Sequence, residues 1–271
     1  MRQNTKVPLS YDLEVQRQLN VHSQRHTLAI IIGPPPDENT PINTASGCIL
    51  QLSGRPYLLT AEHVLKVFEE RKATNTSVRW QICSPEGSEH YVVFEPLSRV
   101  SARTSSHDCV AIELTDAETE TLRTPVCTAT NGWPPPVPQP GDLISLAGYP
   151  RLYRRQSGAV VEFGALTATF EVTAGGEYHC VAQWDRNHIV NTTESAIPEY
   201  GSDLGGMSGG PVFLVRQLSY PICGLITDFH STWELLRIAH HWSRLSMGSM
   251  PKPPSSASEE DSPEPKSTRP L

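Results

Sequence analysis

The chain has 271 residues, a net charge of −7 at pH 7 and a pI near 5.8. This length is enough to bury a core in one large or two small domains. The acidic balance, with no basic run, argues against nucleic acid and anionic membranes as partners, and no apolar stretch reaches the roughly 18 residues that span a bilayer.

Residues 1–26 are polar and are predicted to be an N-terminal extension. Within it, Ser10 to Asn20 are predicted to form a short helix with Leu13 and Leu19 as its apolar contacts. The first residues do not contain the apolar segment of a secretory signal, so we expect a cytoplasmic location.

From residue 27 onward, short apolar and β-branched runs alternate with turn-forming clusters. Many short strands without alternating helices are typical of an all-β barrel or sandwich. A proline-rich passage over 133–141 favours a rigid connector between two sets of strands, and so predicts domains at 27–132 and 133–230. The predicted strands are 28–32, 48–52, 57–60, 78–83, 91–94 and 109–114 in the first set, and 143–147, 160–163, 166–172, 178–183, 212–215 and 222–227 in the second.

The last part of the sequence predicts one helix followed by a tail. Ser231 and Glu234 match a capping box, and an apolar face follows at helical spacing, so we predict a helix over 231–246. This face consists of Leu235, Ile238, Trp242 and Leu245. Residues 247–271 are rich in proline, serine and charge and have almost no apolar content, which predicts a disordered tail.

The six cysteines form no CxxC pair. Cys48, Cys83, Cys109 and Cys223 lie within or at the end of apolar runs. Buried free thiols are therefore expected here rather than disulfides or a metal site.

Residues 205–212 read Gly-Gly-Met-Ser-Gly-Gly-Pro-Val, around Ser208. A serine nucleophile needs an approach free of side chains, with N–H groups directed at the forming oxyanion. Gly206 can turn its amide inward without a Cβ penalty, so the N–H groups of Gly206 and Ser208 are predicted to point to one spot. The alternative is a plain turn, in which the serine bonds its own backbone. We predict a nucleophile, provided that a base and an orienting group lie nearby.

The predicted base is His63, which follows the strand 57–60 in the string Thr-Ala-Glu-His-Val. Asp108 begins the apolar strand 109–114, where a carboxylate is costly unless it is paired. His107 is its sequence neighbour, but consecutive strand residues point to opposite faces. We therefore predict that Asp108 pairs with His63.

The order histidine, aspartate, serine and the strings at 60–64, 108–114 and 206–212 resemble the chymotrypsin/trypsin-like serine peptidases. Residues 141–150 are also similar to bacterial intracellular-type members. The resemblance implies two six-stranded antiparallel β-barrels with the active site between them, a protein or peptide substrate, and no metal or cofactor. It implies that Ser208 is the nucleophile, His63 the general base and then acid, and Asp108 the orienting group. The N–H groups of Gly206 and Ser208 would form the oxyanion hole.

The sequence departs from this family at two positions. Met207 stands where familiar members have an aspartate that pairs with a new N-terminus after zymogen cleavage, so that switch cannot operate. Val64 stands where the family has the disulfide partner of the cysteine at Cys48, so that bridge is absent.

The resemblance also suggests three residues of the pocket that would select the substrate. Ser202, six residues before the serine, would lie at its base and favour an uncharged side chain before the scissile bond. Asp203 is next to it, and a loop shift by one residue would place a carboxylate there and favour Lys or Arg. Thr227 is the third predicted pocket residue.

Three functions remain open on the sequence alone. The first is a serine endopeptidase. The second is a protein-interaction module that has lost turnover on the same fold. The third is a peptidase held inactive until a regulatory protein partner or a bound signal orders its loops, with the segment 181–204 as the candidate mobile part. Retention of all three triad residue types favours the first, while Met207 keeps the third open.

Overall fold

The computed structural model describes residues 13–35, 42–87, 89–128, 137–157, 160–184, 197–216, 219–232 and 234–240. The predicted tail 247–271 and residues 133–136 of the connector lie outside this range. The elements are α1 (Leu13–Arg25), β1 (Leu28–Gly33), β2 (Asn43–Leu52), β3 (Arg55–Thr60), α2 (Glu62–Thr74), β4 (Arg79–Cys83), β5 (Tyr91–Phe94), β6 (Val100–Thr104), β7 (Cys109–Glu113), α3 (Asp116–Leu122), β8 (Cys127–Thr128), β9 (Leu143–Gly148), β10 (Arg154–Ser157), β11 (Val160–Phe163), β12 (Leu166–Gly175), β13 (His179–Gln183), β14 (Pro211–Leu214), β15 (Ile222–His230) and β16 (Leu235–Ala239).

The first eight strands form one curled sheet rather than the predicted closed six-stranded barrel. Its order is β5-β4-β1-β2-β3-β7-β6, with β8 pairing parallel to β2. Within the described residues β5 and β6 are its two edges and do not pair with each other. Closure depends on which edge strands meet, and the run of apolar residues in each strand does not specify this.

The second set of strands forms a closed barrel in the order β12-β13-β16-β15-β14-β9, and β10 and β11 form a separate hairpin. The predicted helix over 231–246 is wrong where the chain is described, because Leu235–Ala239 are the strand β16 that closes this barrel. Leu236 and Ile238 are buried on either side of the exposed Arg237, which is a two-residue period. Pairing with β13 and β15 outweighs the local helix signal. The closed barrel therefore includes residues beyond 230.

The two sheets share an apolar core. β2, β3 and β7 contribute buried side chains from the first sheet, and β14 and β15 contribute them from the barrel. This shared core contains Cys48, Leu50, Leu52, Tyr57, Leu59, Cys109, Ala111, Cys127, Phe213, Ile222 and Leu225. All six cysteines are free, and all but Cys83 are buried. None of the helices in the described ranges has the length and apolar character needed to span a membrane.

The N-terminal helix α1 extends to Arg25, beyond the predicted Asn20, and packs on the closed barrel. The Leu19 side chain is buried, as predicted. The Ser23 hydroxyl lies 2.7 Å from the Ser145 hydroxyl of β9. His22 contacts the rings of His26 (4.3 Å between centroids) and Phe213 (4.9 Å).

This packing makes the stability of the fold dependent on pH. Burial and the nearby charges of His26 and Arg25 lower the pKa of His22 from 6.5 to about 4. Protonation therefore favours the unfolded chain, so the full stability is present above pH 6.5 and is lost as the pH falls towards 4. We expect a loss of up to roughly 3 kcal/mol from this group. Urea unfolding of wild type and His22→Asn at pH 7 and pH 4 measures it.

The variant should show a shallower fall in unfolding free energy than wild type. His230, exposed at the end of β15, gives the matched control, and His230→Asn should follow the wild-type profile. Parallel profiles for His22→Asn and wild type would contradict this assignment.

Candidate active site

His63 is the second residue of α2, directly after β3. Ala61 is the N-cap of this helix and provides no side-chain hydrogen bond. Asp108, in the turn between β6 and β7, provides the missing capping bond. Its Oδ1 accepts a hydrogen bond from the backbone N–H of His63 at 2.9 Å. The other oxygen of Asp108, Oδ2, lies 2.7 Å from Nδ1 of the His63 ring. One carboxylate therefore holds both the backbone and the ring of His63.

The backbone of Asp108 has a φ of 48°, in the left-handed region that aspartate tolerates better than most residues. Burial alone would raise the pKa of Asp108, but hydrogen bonds from the His63 ring and backbone outweigh it and lower that pKa below its ordinary value. Nδ1 of His107 instead lies 2.9 Å from the Thr104 hydroxyl and 2.8 Å from that of Ser106. Asp108 thus pairs with His63, as predicted. Its side chain is kept apart from His107 by the turn in which both residues lie, and not by alternation along a strand.

Ser208 lies in the turn before β14. Hydrogen bonds from Ser46 of β2 hold this turn against the first sheet. The Ser46 N–H donates to the Ser208 carbonyl at 2.9 Å, and the Ser46 hydroxyl donates to the Gly206 carbonyl at 2.8 Å. The same hydroxyl accepts the N–H of Tyr149 at 2.9 Å. No sequence pattern indicates this buried serine, because one small polar residue in a strand has no pattern of its own.

The turn also packs against the end of β3. The Thr60 hydroxyl donates to the Ser46 carbonyl at 2.7 Å. Gly209 has a φ of +86°, and a Cβ there would overlap Ser46 O and Thr60 Oγ1 and lie 2.9 Å from Ala61 N. Only glycine permits this approach. The residue after Ser208 therefore lies against the segment that leads into His63.

Two backbone amides of the turn remain available. Neither the Gly206 N–H nor the Ser208 N–H donates a hydrogen bond to any described residue. The amides beside them are all paired: Gly205 with Asp203 Oδ1, Met207 with Leu204 O, Gly209 with Ile226 O and Gly210 with Met207 O. The unpaired amides are the two that the sequence assigned to an oxyanion hole.

Met207 points into the barrel core. Its side chain is 1% exposed and belongs to the apolar cluster that includes Leu204 and Val212. A Cβ on Gly148 would lie 3.0 Å from the Met207 Cα, so β9 also passes close to the turn. The residue before Ser208 is thus anchored by apolar contacts.

The three predicted pocket residues make separate contacts. Asp203 is exposed and forms an ion pair with Arg151. The Ser202 N–H donates to the Glu199 carbonyl at 3.1 Å. Thr227 is buried, and its hydroxyl donates to the Arg237 carbonyl at 3.2 Å. Their role in substrate selection stays a prediction.

No protein-family model and no curated protein matches the sequence. Several solved protein structures are similar to this one. A thermostable serine protease from an extremophilic microorganism is 15% identical, with a TM-score of 0.47 over 80% of this chain and 91% of that chain. The serine protease domain of the Sesbania mosaic virus polyprotein is 16% identical, with a TM-score of 0.44 over 79% and 88%. The active form of a protease from M. tuberculosis is 14% identical, with a TM-score of 0.46 over 89% and 88%.

The geometry of the turn predicts that Gly206 cannot be replaced. Its φ is +104°, and a Cβ would lie 2.6 Å from the Tyr149 carbonyl. Gly201 has a φ of +75° with no atom within 4 Å of such a Cβ, so it isolates the cost of the backbone conformation. We expect Gly201→Ala to lose roughly 1 kcal/mol of unfolding free energy and Gly206→Ala more than about 3 kcal/mol. Urea unfolding measures both, and equal losses would contradict the close packing of Gly206.

Proposed function

We propose that the protein is a serine endopeptidase that hydrolyses peptide bonds in protein substrates through an acyl-enzyme on Ser208. The observation that carries this proposal is the two-point hydrogen bonding of His63 by Asp108. With Nδ1 held by the carboxylate, Nε2 of the ring is the nitrogen left to accept a proton from a serine hydroxyl. The lowered pKa of Asp108 keeps it ionised at neutral pH, where it stabilises the imidazolium that forms.

In this mechanism the Ser208 hydroxyl oxygen attacks the scissile carbonyl carbon while His63 takes the hydroxyl proton. The N–H groups of Gly206 and Ser208 bind the oxyanion of the tetrahedral intermediate. His63 then donates its proton to the leaving amine, and the C–N bond breaks. Water, deprotonated by His63, then attacks the ester carbonyl carbon, the ester C–O bond breaks, and His63 returns the proton to the Ser208 oxygen as the carboxylic acid product leaves.

Two features support a working peptidase over the alternatives. The amides of Gly206 and Ser208 donate to no described residue and are therefore free to bind an oxyanion, whereas the neighbouring amides of the turn are already paired. The buried side chain of Met207 supports a turn that is formed in the folded chain without a partner. Residues 185–196 of the segment proposed for gating lie outside the described chain. The free cysteines accord with action in a reducing compartment such as the cytoplasm.

The first test is covalent labelling by a fluorophosphonate, which requires an activated serine. We expect wild type to be labelled, and Ser208→Ala and His63→Ala to lose labelling by at least about a thousandfold, because nucleophile and base act as one unit. Asp108→Asn should lose a comparable amount, since the amide nitrogen cannot accept the Nδ1 proton. In-gel fluorescence over time gives the rates.

His90, at the turn between β4 and β5, provides a matched histidine control, and His90→Ala should label at the wild-type rate. Folding of each variant is checked by circular dichroism. Well-folded wild type that resists labelling would refute the proposed function.

We further propose that the enzyme cleaves after uncharged side chains. The Asp203 carboxylate is already bound by Arg151 and by the Gly205 N–H, which accords with a surface role rather than a place in the pocket. A peptide library digested by wild type should show an uncharged preference before the cleaved bond. Asp203→Asn should keep that preference, whereas a Lys or Arg preference that disappears in this variant would assign Asp203 to the pocket.

A further inference from the structure

Glu62, directly before His63, is a buried acid that the proposed mechanism does not use. Its side chain is only 2% exposed, and an ionised carboxylate at such a position is costly unless it is paired. Arg103 Nε donates to Glu62 Oε1 at 2.7 Å, and Lys66 Nζ lies 2.7 Å from Oε2. Burial would raise the pKa of Glu62, but these hydrogen bonds outweigh it and lower the pKa below its ordinary value.

The Arg103 guanidinium holds a second acid on the same helix. Nη1 donates to Glu69 Oε1 at 2.7 Å, and Nη2 donates to Oε2 at 3.0 Å. Glu62 is in the first turn of α2 and Glu69 lies about two turns further on. The planar fork of an arginine fixes both distance and orientation. Arg103 therefore binds α2 at two points along its length.

Arg103 belongs to β6, and β6 leads directly into the turn that ends at Asp108. The same two elements that Arg103 joins thus carry Asp108 and His63. Lys66 cannot make this connection, because it lies on α2 itself, four residues from Glu62. A shift of α2 along β6 would change the 2.7 Å separation between His63 Nδ1 and Asp108 Oδ2.

We propose that Arg103 is a positioning residue that fixes α2 against β6 and so holds the His63 ring against Asp108. Glu62 is the anchor of this contact, and the more exposed Glu69 is its outer support. The inference rests on the proposed function for its effect on labelling, whereas its effect on the His63 ring can be measured without turnover.

The experiment compares wild type with Arg103→Met, which keeps an unbranched side chain but removes the fork. The rate constant for fluorophosphonate labelling should fall about tenfold or more, because small displacements of a catalytic group are costly. Glu69→Gln tests the outer support and should lower the rate constant much less, to within about twofold of wild type, since the arm to Glu62 remains. Arg103→Lys should recover part of the rate, because an ammonium can bind Glu62 but cannot bridge both acids.

The second readout is the tautomer of His63, measured in a Ser208→Ala background by long-range 1H–15N correlation under mildly alkaline conditions. Asp108 selects the tautomer with the proton on Nδ1. In Arg103→Met the population should shift towards the tautomer with the proton on Nε2. This outcome supports the positioning role even if wild type fails to label, in which case only the proposed function is lost.

A merely structural role predicts a different result. Arg103→Met would then unfold at a lower temperature, yet keep the wild-type tautomer and the wild-type labelling rate well below that temperature, and this would overturn the proposal. If Arg103→Met does not fold, Glu62→Gln replaces it, with the same shift in tautomer expected. An unchanged His63 tautomer in that variant would equally overturn the proposal.

Discussion

The arrangement of the site depends on the hydrogen bonds of Ser46. Ser46 is buried in the open sheet, yet the carbonyls of Gly206 and Ser208, which accept from its hydroxyl and its backbone N–H, lie in the turn that leads into the closed barrel. Each such bond has a net worth of only about 1 kcal/mol, but a buried donor or acceptor left without its partner costs more. The two sheets therefore cannot slide against each other without exposing these groups. Gly209 makes the contact possible, because any side chain there would overlap Ser46 and Thr60.

The turn is held from its other side by Met207. Members of the family that the sequence resembles are expected to order this region by an ion pair formed after cleavage, whereas here a methionine packs into the barrel core. Burying a side chain of this size contributes roughly 1.5–3 kcal/mol, and it does so as soon as the barrel forms. The turn is held on one face by the hydrogen bonds of Ser46 and on the other by the packing of Met207. The direction of the amides between these contacts is therefore fixed. This explains how the N–H groups of Gly206 and Ser208 can keep their direction without an acceptor among the described residues.

The sequence predicted the parts of the fold whose signals are local. Strands such as β5 and β11 were predicted at their observed bounds, because a run of apolar and β-branched residues between turns needs no knowledge of its partners. The helix α2 was missed although Val64, Leu65 and Phe68 are buried at helical spacing and could have indicated it. β16 was mistaken for a helix because a capping box is a local signal, whereas pairing with two distant strands is not. Ser46 and Arg103 had no readable signal, since their importance lies entirely in which segments they join.

Asp108 has two roles in the site, one in capping α2 and the other in binding the His63 ring. It caps a helix whose own N-cap, Ala61, provides no side-chain hydrogen bond, and it also binds the ring that the helix presents. The N-terminal end of a helix favours negative charge, so α2 helps to keep the carboxylate ionised beside His63. The two tasks differ in what they require of the side chain. An asparagine oxygen could still accept the His63 backbone N–H, but its amide group donates to the ring and would favour the opposite tautomer. The cap needs only an acceptor, whereas the proposed chemistry needs a carboxylate, and this is the physical reason for an acid at position 108.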